Sequence, residues 1–545
     1  MTNIDKRTLL KSVVASSLIS PISAFAAPAS KGCDNTAAKT NLPSWPKGLE
    51  GQRQADLGNG YYLNPIMPGD YPDPTVLKDG DDYYMTFSSF DNYPGIVIWH
   101  SKDLVNWTPI GPALHTNIGT VWALDICKHQ DRYYIYIPAA PAGKPWGTYV
   151  IWADNIAGPW SEPINLHIDG CIDPGHAVGE DGKRYLFVNG IRKIKLKDNG
   201  LATDGQVEPA YQPWVYPDHW ITENFAPEGP KITRYKDYFY LVTAVGGTAG
   251  PVTGHMVIAA RAKSIHGPWE HCPRNPLVRS QSTEEPWWSR GHATLIEGPN
   301  KDWWMIYHGY ENSFRTLGRQ TLLEPIEWTE DGWFKAKGGD LSQPMKKPAN
   351  INGVKNGLAR SDDFSTNKFG LQWAFHKPSN KELERINYSR FNSSSALSLV
   401  AAGTNPSNSS PIVCNAIDRS YQVEVSMTLE DKAEAGLLLF YNHKAFVGMG
   451  ADGNSIKSFQ YAEEHPWARI PNKSKQLKMR LTNDNNVITY HYSTDNGASW
   501  QRHPTRMEVA GINHNVFGGF LSLRIGLYCC GQGRAILQDF KYRAL

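Results

Sequence analysis

An all-β protein, a five-bladed β-propeller followed by a β-sandwich, is what this sequence of 545 residues predicts. Three observations carry that reading. First, a phrase made of a polar turn and a burst of aromatic and aliphatic residues recurs five times. The copies are DGDDYYMTF at 79, HQDRYYIYI at 129, EDGKRYLFV at 180, YKDYFYLVT at 235 and NKDWWMIYH at 300. Aligned on Tyr84, Tyr134, Tyr185, Phe239 and Trp304 they stand 50, 51, 54 and 65 residues apart. A period of about 50 in β-rich sequence marks propeller blades. Second, after Asp363 the texture changes to short alternating segments such as YQVEVSMTL at 421, LKMRLTN at 477 and VITYHYS at 487. Turn signals, Asp484-Asn485-Asn486 and Asp495-Asn496-Gly497, separate them, as in an antiparallel sandwich. Third, helical periodicity is scarce throughout.

In chain order, residues 1–26 read as an export signal. Lys6, Arg7 and Lys11 form a basic start, Leu9 to Ala26 a mildly apolar stretch broken by Pro21, and Ala24-Phe25-Ala26 a small-x-small cleavage site. The phrase Lys6-Arg7-Thr8-Leu9-Leu10-Lys11 also resembles a twin-arginine signal, so the export route stays open while the expected location is periplasmic or secreted. Residues 27–55, polar and rich in Pro and Gly, read as a linker, and 56–345 as the propeller. Outer-strand phrases such as SKDLVNW at 101, ADNIAGPW at 153 and AKSIHGPW at 262 close successive blades. Residues 346–360 read as a second linker and 361–545 as the sandwich. The seven cysteines show no CxxC or Cys/His metal spacing. Cys529 and Cys530, adjacent on a strand, should face opposite ways.

Composition narrows the function. A net charge of +2 with no block of like charge gives no reason to expect nucleic acid, and no segment is long and apolar enough to anchor in a membrane. Nineteen Trp and 26 Tyr suit both a β-rich core and stacking on the apolar faces of sugars. The repeat also locates candidate chemistry. Asp73, Asp125, Asp173, Glu228 and His292 lie 11, 9, 12, 11 and 12 residues before the aligned aromatics. Equivalent positions on first strands converge on the propeller axis. Like-charged carboxyls there push each other's pKa values apart, which is what acid/base catalysis needs. Turn-capping by individual members is the competing explanation.

The stretch Asn64–Trp107, NPIMPGDYPDPTVLKDGDDYYMTFSSFDNYPGIVIWHSKDLVNW, resembles the opening blade of glycoside hydrolase family 43, which holds β-xylosidases, α-L-arabinofuranosidases and arabinanases. The likeness continues through VWALD at 121, CIDPGHAVGEDGKRYLFVNG at 171, APEGPKITRYKDYFYL at 226, GHATLIEGPNKDWWMIYHG at 291 and LGRQTLLEP at 317. The tail beginning DDFSTNKFGLQWAF at 362 resembles the concanavalin-like sandwich of the β-xylosidase branch. Leu124, where the family usually has Pro, and Gly175-His176 after IDP depart from its pattern.

The resemblance implies roles. Asp73 of YPDP matches a general base, Glu228 of PEGP a general acid, and Asp173 of IDPG a carboxylate that tunes and orients the acid. Phe90 and Trp122 match aromatics that wall the sugar pocket, with core packing as the alternative for both. Arg319 matches an arginine that contacts sugar hydroxyls. His292 matches an axial histidine that contacts substrate, helps hold a water or calcium ion, or is structural. Asp125 is expected behind the pocket or in contact with substrate. No cofactor is required and a structural calcium ion is compatible. The expected activity is inverting exo-hydrolysis of xylose- or arabinose-containing oligosaccharides. β-1,4-Xylosidase comes first and α-L-arabinofuranosidase second, with exo-galactanase and a non-catalytic carbohydrate-binding propeller as rivals. The oligomeric state is open.

Overall fold

The computed structural model describes residues 44–545 apart from Asn352. The export signal read over 1–26 and Cys33 lie outside the described residues. Among those described, the only α-helix is His514–Phe517, and everything else regular is strand or single 3-10 turns.

Five antiparallel sheets follow one another along the chain, each running outward in sequence order, with the short strands Thr120–Val121 and Val278–Arg279 added to the second and fourth. Their first strands are β1 (Thr75–Asp79), β2 (Asp125–His129), β3 (Gly175–Val178), β4 (Glu228–Tyr235) and β5 (Trp287–Glu297). These five touch each other in turn, β1 to β2 and onward to β5, and β5 returns to β1, so they ring a common axis. The repeated aromatic phrases form the second strand of each blade, for example Asp82–Thr86 and Trp303–Glu311. That strand is covered on both faces by neighbouring blades, which is why its residues are hydrophobic without alternation: all five of Arg184–Val188 are buried.

The sandwich is organised by two long strands, β7 (Ser420–Asn442) and β8 (Arg524–Ala544), paired antiparallel along most of their length. The short strand β6 (Ala374–His376) precedes them. In the first half of β7 Tyr421, Val423, Val425, Met427 and Leu429 alternate inward, whereas Leu437–Tyr441 are buried on both faces. Cys529 and Cys530 join different apolar clusters, as opposite faces require. All six described cysteines are free.

The two stretches read as linkers are held between the domains. In the first, Arg53 makes a two-pronged ion pair with Glu311 at 2.9 and 3.0 Å and donates to the Ile417 carbonyl, so it clasps propeller and sandwich together. In the second, the buried ammonium of Lys347 pairs with Asp56 and Asp103. Polar composition suggested solvent, but these charges are neutralised in place instead. One further join bears on the site. The segment Asn92–Tyr93 leaves the first blade and adds itself to β6, with Tyr93 opposite Phe375 and Asn92 opposite His376.

Candidate active site

All but one of the residues singled out from sequence meet in one pocket on the propeller axis. Asp73, Phe90, Trp122, Asp173, Glu228, His292 and Arg319 line it, in a volume of about 340 Å³. Local backbone distortions lift the polar groups out of regular strand geometry. Asp73, Asp173 and His292 have φ of 56°, 57° and 62°, and Phe90 has 49°. Such left-handed conformations are strained for non-glycine residues and collect at functional sites. Glu228 uses another device: the pairing of β4 with its neighbour slips between Glu228 and Lys231, and that bulge aims Glu228 at the pocket.

Asp73 is buried and hydrogen-bonded through both carboxyl oxygens. Arg319 Nη1 donates to Oδ1 at 2.8 Å and Ser88 Oγ donates to Oδ2 at 2.6 Å. Its backbone N–H donates to His308 Nδ1 at 3.0 Å, an atom that also lies 3.2 Å from Oδ1, and His308 Nε2 is 3.2 Å from Thr248 Oγ1. Burial alone would raise the Asp73 pKa. The Arg319 charge outweighs burial and holds the carboxyl well below its usual range. Burial pushes His308 down to about 4 and His292 down to about 3, so both rings are neutral at ordinary pH.

The other two carboxyls go the opposite way. Burial, then the charge of Asp73, pushes Asp173 up to about 7. Burial, then the charges of Asp173 and Asp73, raises Glu228 well above its usual value. The Gly229 N–H donates to Asp173 Oδ2 at 3.0 Å and favours the ionised form there, which leaves the shared proton on Glu228. Gly229 itself has φ of 60°, and a Cβ on it would lie 2.9 Å from the His292 ring, so PEGP needs this glycine. The Glu228 side chain stays 21% exposed, open to a substrate. Fully buried His255 reaches it from behind, with Nε2 3.4 Å from Glu228 Oε1.

Asp125 is the exception. It lies beneath the pocket, where Lys231 Nζ approaches Oδ1 to 2.6 Å, Thr75 Oγ1 donates to the same oxygen at 2.9 Å and the His176 N–H donates to Oδ2 at 2.7 Å. Contact with substrate is therefore corrected to a buried ion pair between blades. The physical reason is its regular strand register opposite Tyr136, which keeps it down.

Two residues at or behind the pocket were not singled out from sequence. Phe520 comes from the sandwich, lies 5.4 Å from Trp122 in an edge-on contact and covers the Arg319 guanidinium at 5.3 Å. Nothing in its local sequence ties it to residues 200 positions earlier. His308 sits inside the fifth repeat phrase, and its place one strand behind His292 was the available hint. Among the described residues no group of three or more His, Cys, Asp and Glu side chains is arranged to hold a metal ion.

A propeller whose axis gathers a carboxyl held ionised, a carboxyl held protonated and a third that shares charge with them belongs to the class of enzymes that cleave glycosidic bonds by acid/base chemistry. Comparison gives the family. Residues 62–334 match the model of glycosyl hydrolases family 43, and residues 361–543 match that of the β-xylosidase C-terminal concanavalin A-like domain. The chain belongs to glycosyl hydrolase family 43. It is 27% identical over 523 residues to a non-reducing end α-L-arabinofuranosidase of Bacteroides ovatus, covering 88% of this chain and 93% of that one. It is 26% identical to a putative β-xylosidase of Escherichia coli, covering 88% and 98%. Among solved structures, the family 43 protein BlXynB of Bacillus licheniformis superposes with a TM-score of 0.78 at 25% identity, covering 89% of this chain and all of that one.

Proposed function

We propose that the protein is an exported, inverting exo-glycosidase that removes single pentose units from xylose- or arabinose-containing oligosaccharides, with β-1,4-xylosides as the first substrate. The observation that carries this is the placement in one small pocket of Asp73, ion-paired to Arg319, and Glu228, set among buried carboxyls that raise its pKa. Asp73, held ionised by Arg319, serves as the base that takes a proton from the attacking water. Its Oδ2, which accepts only from Ser88, keeps a lone pair to receive it. Glu228 keeps its proton and gives it to the departing oxygen. Asp173 sets how long Glu228 holds that proton. An inverting pair stands about 6.5–9.5 Å apart to admit the water, and base and acid here come from the first and fourth blades. The pocket is small and walled by Phe90, Trp122 and Phe520, which suits one sugar ring. Phe520, laid over it from the sandwich, favours removal of terminal units. Export rests on the Lys6-Arg7 start and the Ala24-Phe25-Ala26 site.

A second reading, α-L-arabinofuranosidase, is favoured by the near full-length likeness to the Bacteroides ovatus enzyme. Turnover of nitrophenyl β-xyloside, α-arabinofuranoside and β-galactoside separates the two and tests the galactanase rival. Proton NMR of the first sugar released from a β-xyloside tests the mechanism. α-Xylose should appear first and then mutarotate; initial β-xylose would mean retention and end the inverting assignment.

A further inference from the structure

A second cavity, of about 730 Å³, lies where propeller and sandwich meet. The first blade supplies Ser89 and Trp99 to its wall, the interdomain connection Arg360, and the sandwich Gln372 and Arg524. It is separate from the carboxylate pocket but shares the Phe90 wall with it.

Its chemistry is unusual for a domain interface. Arg360 and Arg524 are 4% and 1% exposed. Arg360 Nη2 donates to the Tyr71 hydroxyl at 3.0 Å, while its backbone N–H, not its guanidinium, meets Glu50. Arg524 donates to Asn92 Oδ1, to the Tyr441 carbonyl at 2.7 Å and towards His376 Nδ1 at 3.4 Å. Every one of these acceptors is neutral. Among the described residues neither guanidinium has an ion pair within 4.0 Å. A buried cation without a direct ion pair is costly. Asp70 lines the same cavity and its charge, with that of Asp91, acts on Arg524, but it is shared with Arg319, whose backbone N–H donates to it at 3.2 Å, and burial pushes its pKa up to about 6.

The unpartnered atoms of the wall point the same way. Arg360 Nε, Arg524 Nε, Trp99 Nε1 and Ser89 Oγ have no hydrogen-bond partner, and Gln372 Oε1 stands as an unpartnered acceptor against them. Three of the four can only donate. Water brings donors as well as acceptors and no charge. A ligand rich in acceptors and negatively charged matches both deficits.

We propose that this interdomain cavity binds a small oxyanion or carboxylate between Arg360 and Arg524. The site is coupled to catalysis by one short segment. Ser88 donates to Asp73, Phe90 walls both cavities, and Asn92–Tyr93 is fixed to β6 of the sandwich. An anion that draws both guanidiniums inward holds that segment against Asp73.

Isothermal titration calorimetry of the full-length protein with inorganic phosphate, and separately with acetate, tests this. Saturable binding is expected, retained in Arg319→Met and weakened about tenfold or more in Arg360→Met, as loss of a charge-assisted contact implies. Trp99→Phe, which removes one donor and keeps the shape, should weaken binding several-fold and serves if Arg360→Met fails to fold. Binding lost in Arg319→Met but kept in Arg360→Met and Trp99→Phe would place the anion in the carboxylate pocket and overturn the proposal. Absence of saturable binding by either anion would overturn it as well.

Discussion

Asp73 and Asp125 open the inner strands of adjacent blades, and both are almost completely buried, yet their environments have little else in common. Asp73 faces a cation that also borders the sugar-sized pocket, and it shares that space with Glu228 and Asp173. Asp125 faces Lys231, a cation that rises from below, and its remaining lone pairs are taken by Thr75 and the His176 N–H. Blade periodicity brings an ionisable group to the axis five times, but it does not lift that group into the pocket. The lift comes from left-handed backbone at Asp73, Asp173 and His292 and from the bulge after Glu228. Asp125 has neither and remains scaffold.

The sharpest way to break this contrast is to neutralise each aspartate. Asp73→Asn should cut kcat/KM by about 10²–10⁴-fold, the usual contribution of a general base. Asp125→Asn should leave turnover within about tenfold of the parent, since its carboxyl touches no substrate. Steady-state kinetics on folded variants, checked by circular dichroism, decides; similar losses at both sites would erase the distinction. A comparably large effect is expected of Glu228→Ala, but only on substrates that need a proton. Natural oligosaccharides should suffer far more than aryl glycosides with acidic phenol leaving groups. Equal losses on both would remove Glu228 from the acid's role.

This contrast also marks how far the sequence could be read. The fold was legible because the aromatic phrases are covered on both faces and so keep their hydrophobic signature in every blade. The five axial residues were legible because they hold a near-constant offset from those phrases. What each does with its position was not, because that depends on partners from distant sequence. Arg319 was matched to sugar contact, and its grip on Asp73 became visible only in three dimensions. Lys231 falls three residues after Glu228 and serves a different aspartate because of one bulge. Phe520 joins the pocket only through the docking of a second domain. The polar stretches at 44–55 and 346–360 carried charges whose partners lie hundreds of residues away, so composition alone suggested linkers.

A middle-sized effect is expected from Lys231→Met. It leaves Asp125 buried without its cation, and breaking one side of such a pair costs about 3–5 kcal/mol. Chemical denaturation should show that loss, and adding Asp125→Asn should recover part of it by removing the stranded charge. A single Lys231→Met variant as stable as the parent would mean that Thr75 and the His176 N–H already satisfy Asp125.

The smallest effect, and the most specific, concerns Asp173. Glu228 is raised first by burial and next by the negative charge of Asp173. Asp173→Asn keeps an oxygen to accept from the Gly229 N–H but removes that charge. Glu228 must then release its proton at lower pH, so the active, protonated enzyme is lost sooner as pH rises. The basic limb of the kcat/KM profile should move down by about one pH unit, equivalent to ~1.4 kcal/mol of charge interaction. The acidic limb reports Asp73, which Arg319 holds low, and it should stay in place, since Asp173, pushed up to about 7, carries no charge in that range. A pH-rate profile on one aryl glycoside measures both limbs together. A basic limb that stays in place would show that burial alone holds the proton on Glu228, and Asp173 would then join Asp125 as scaffold.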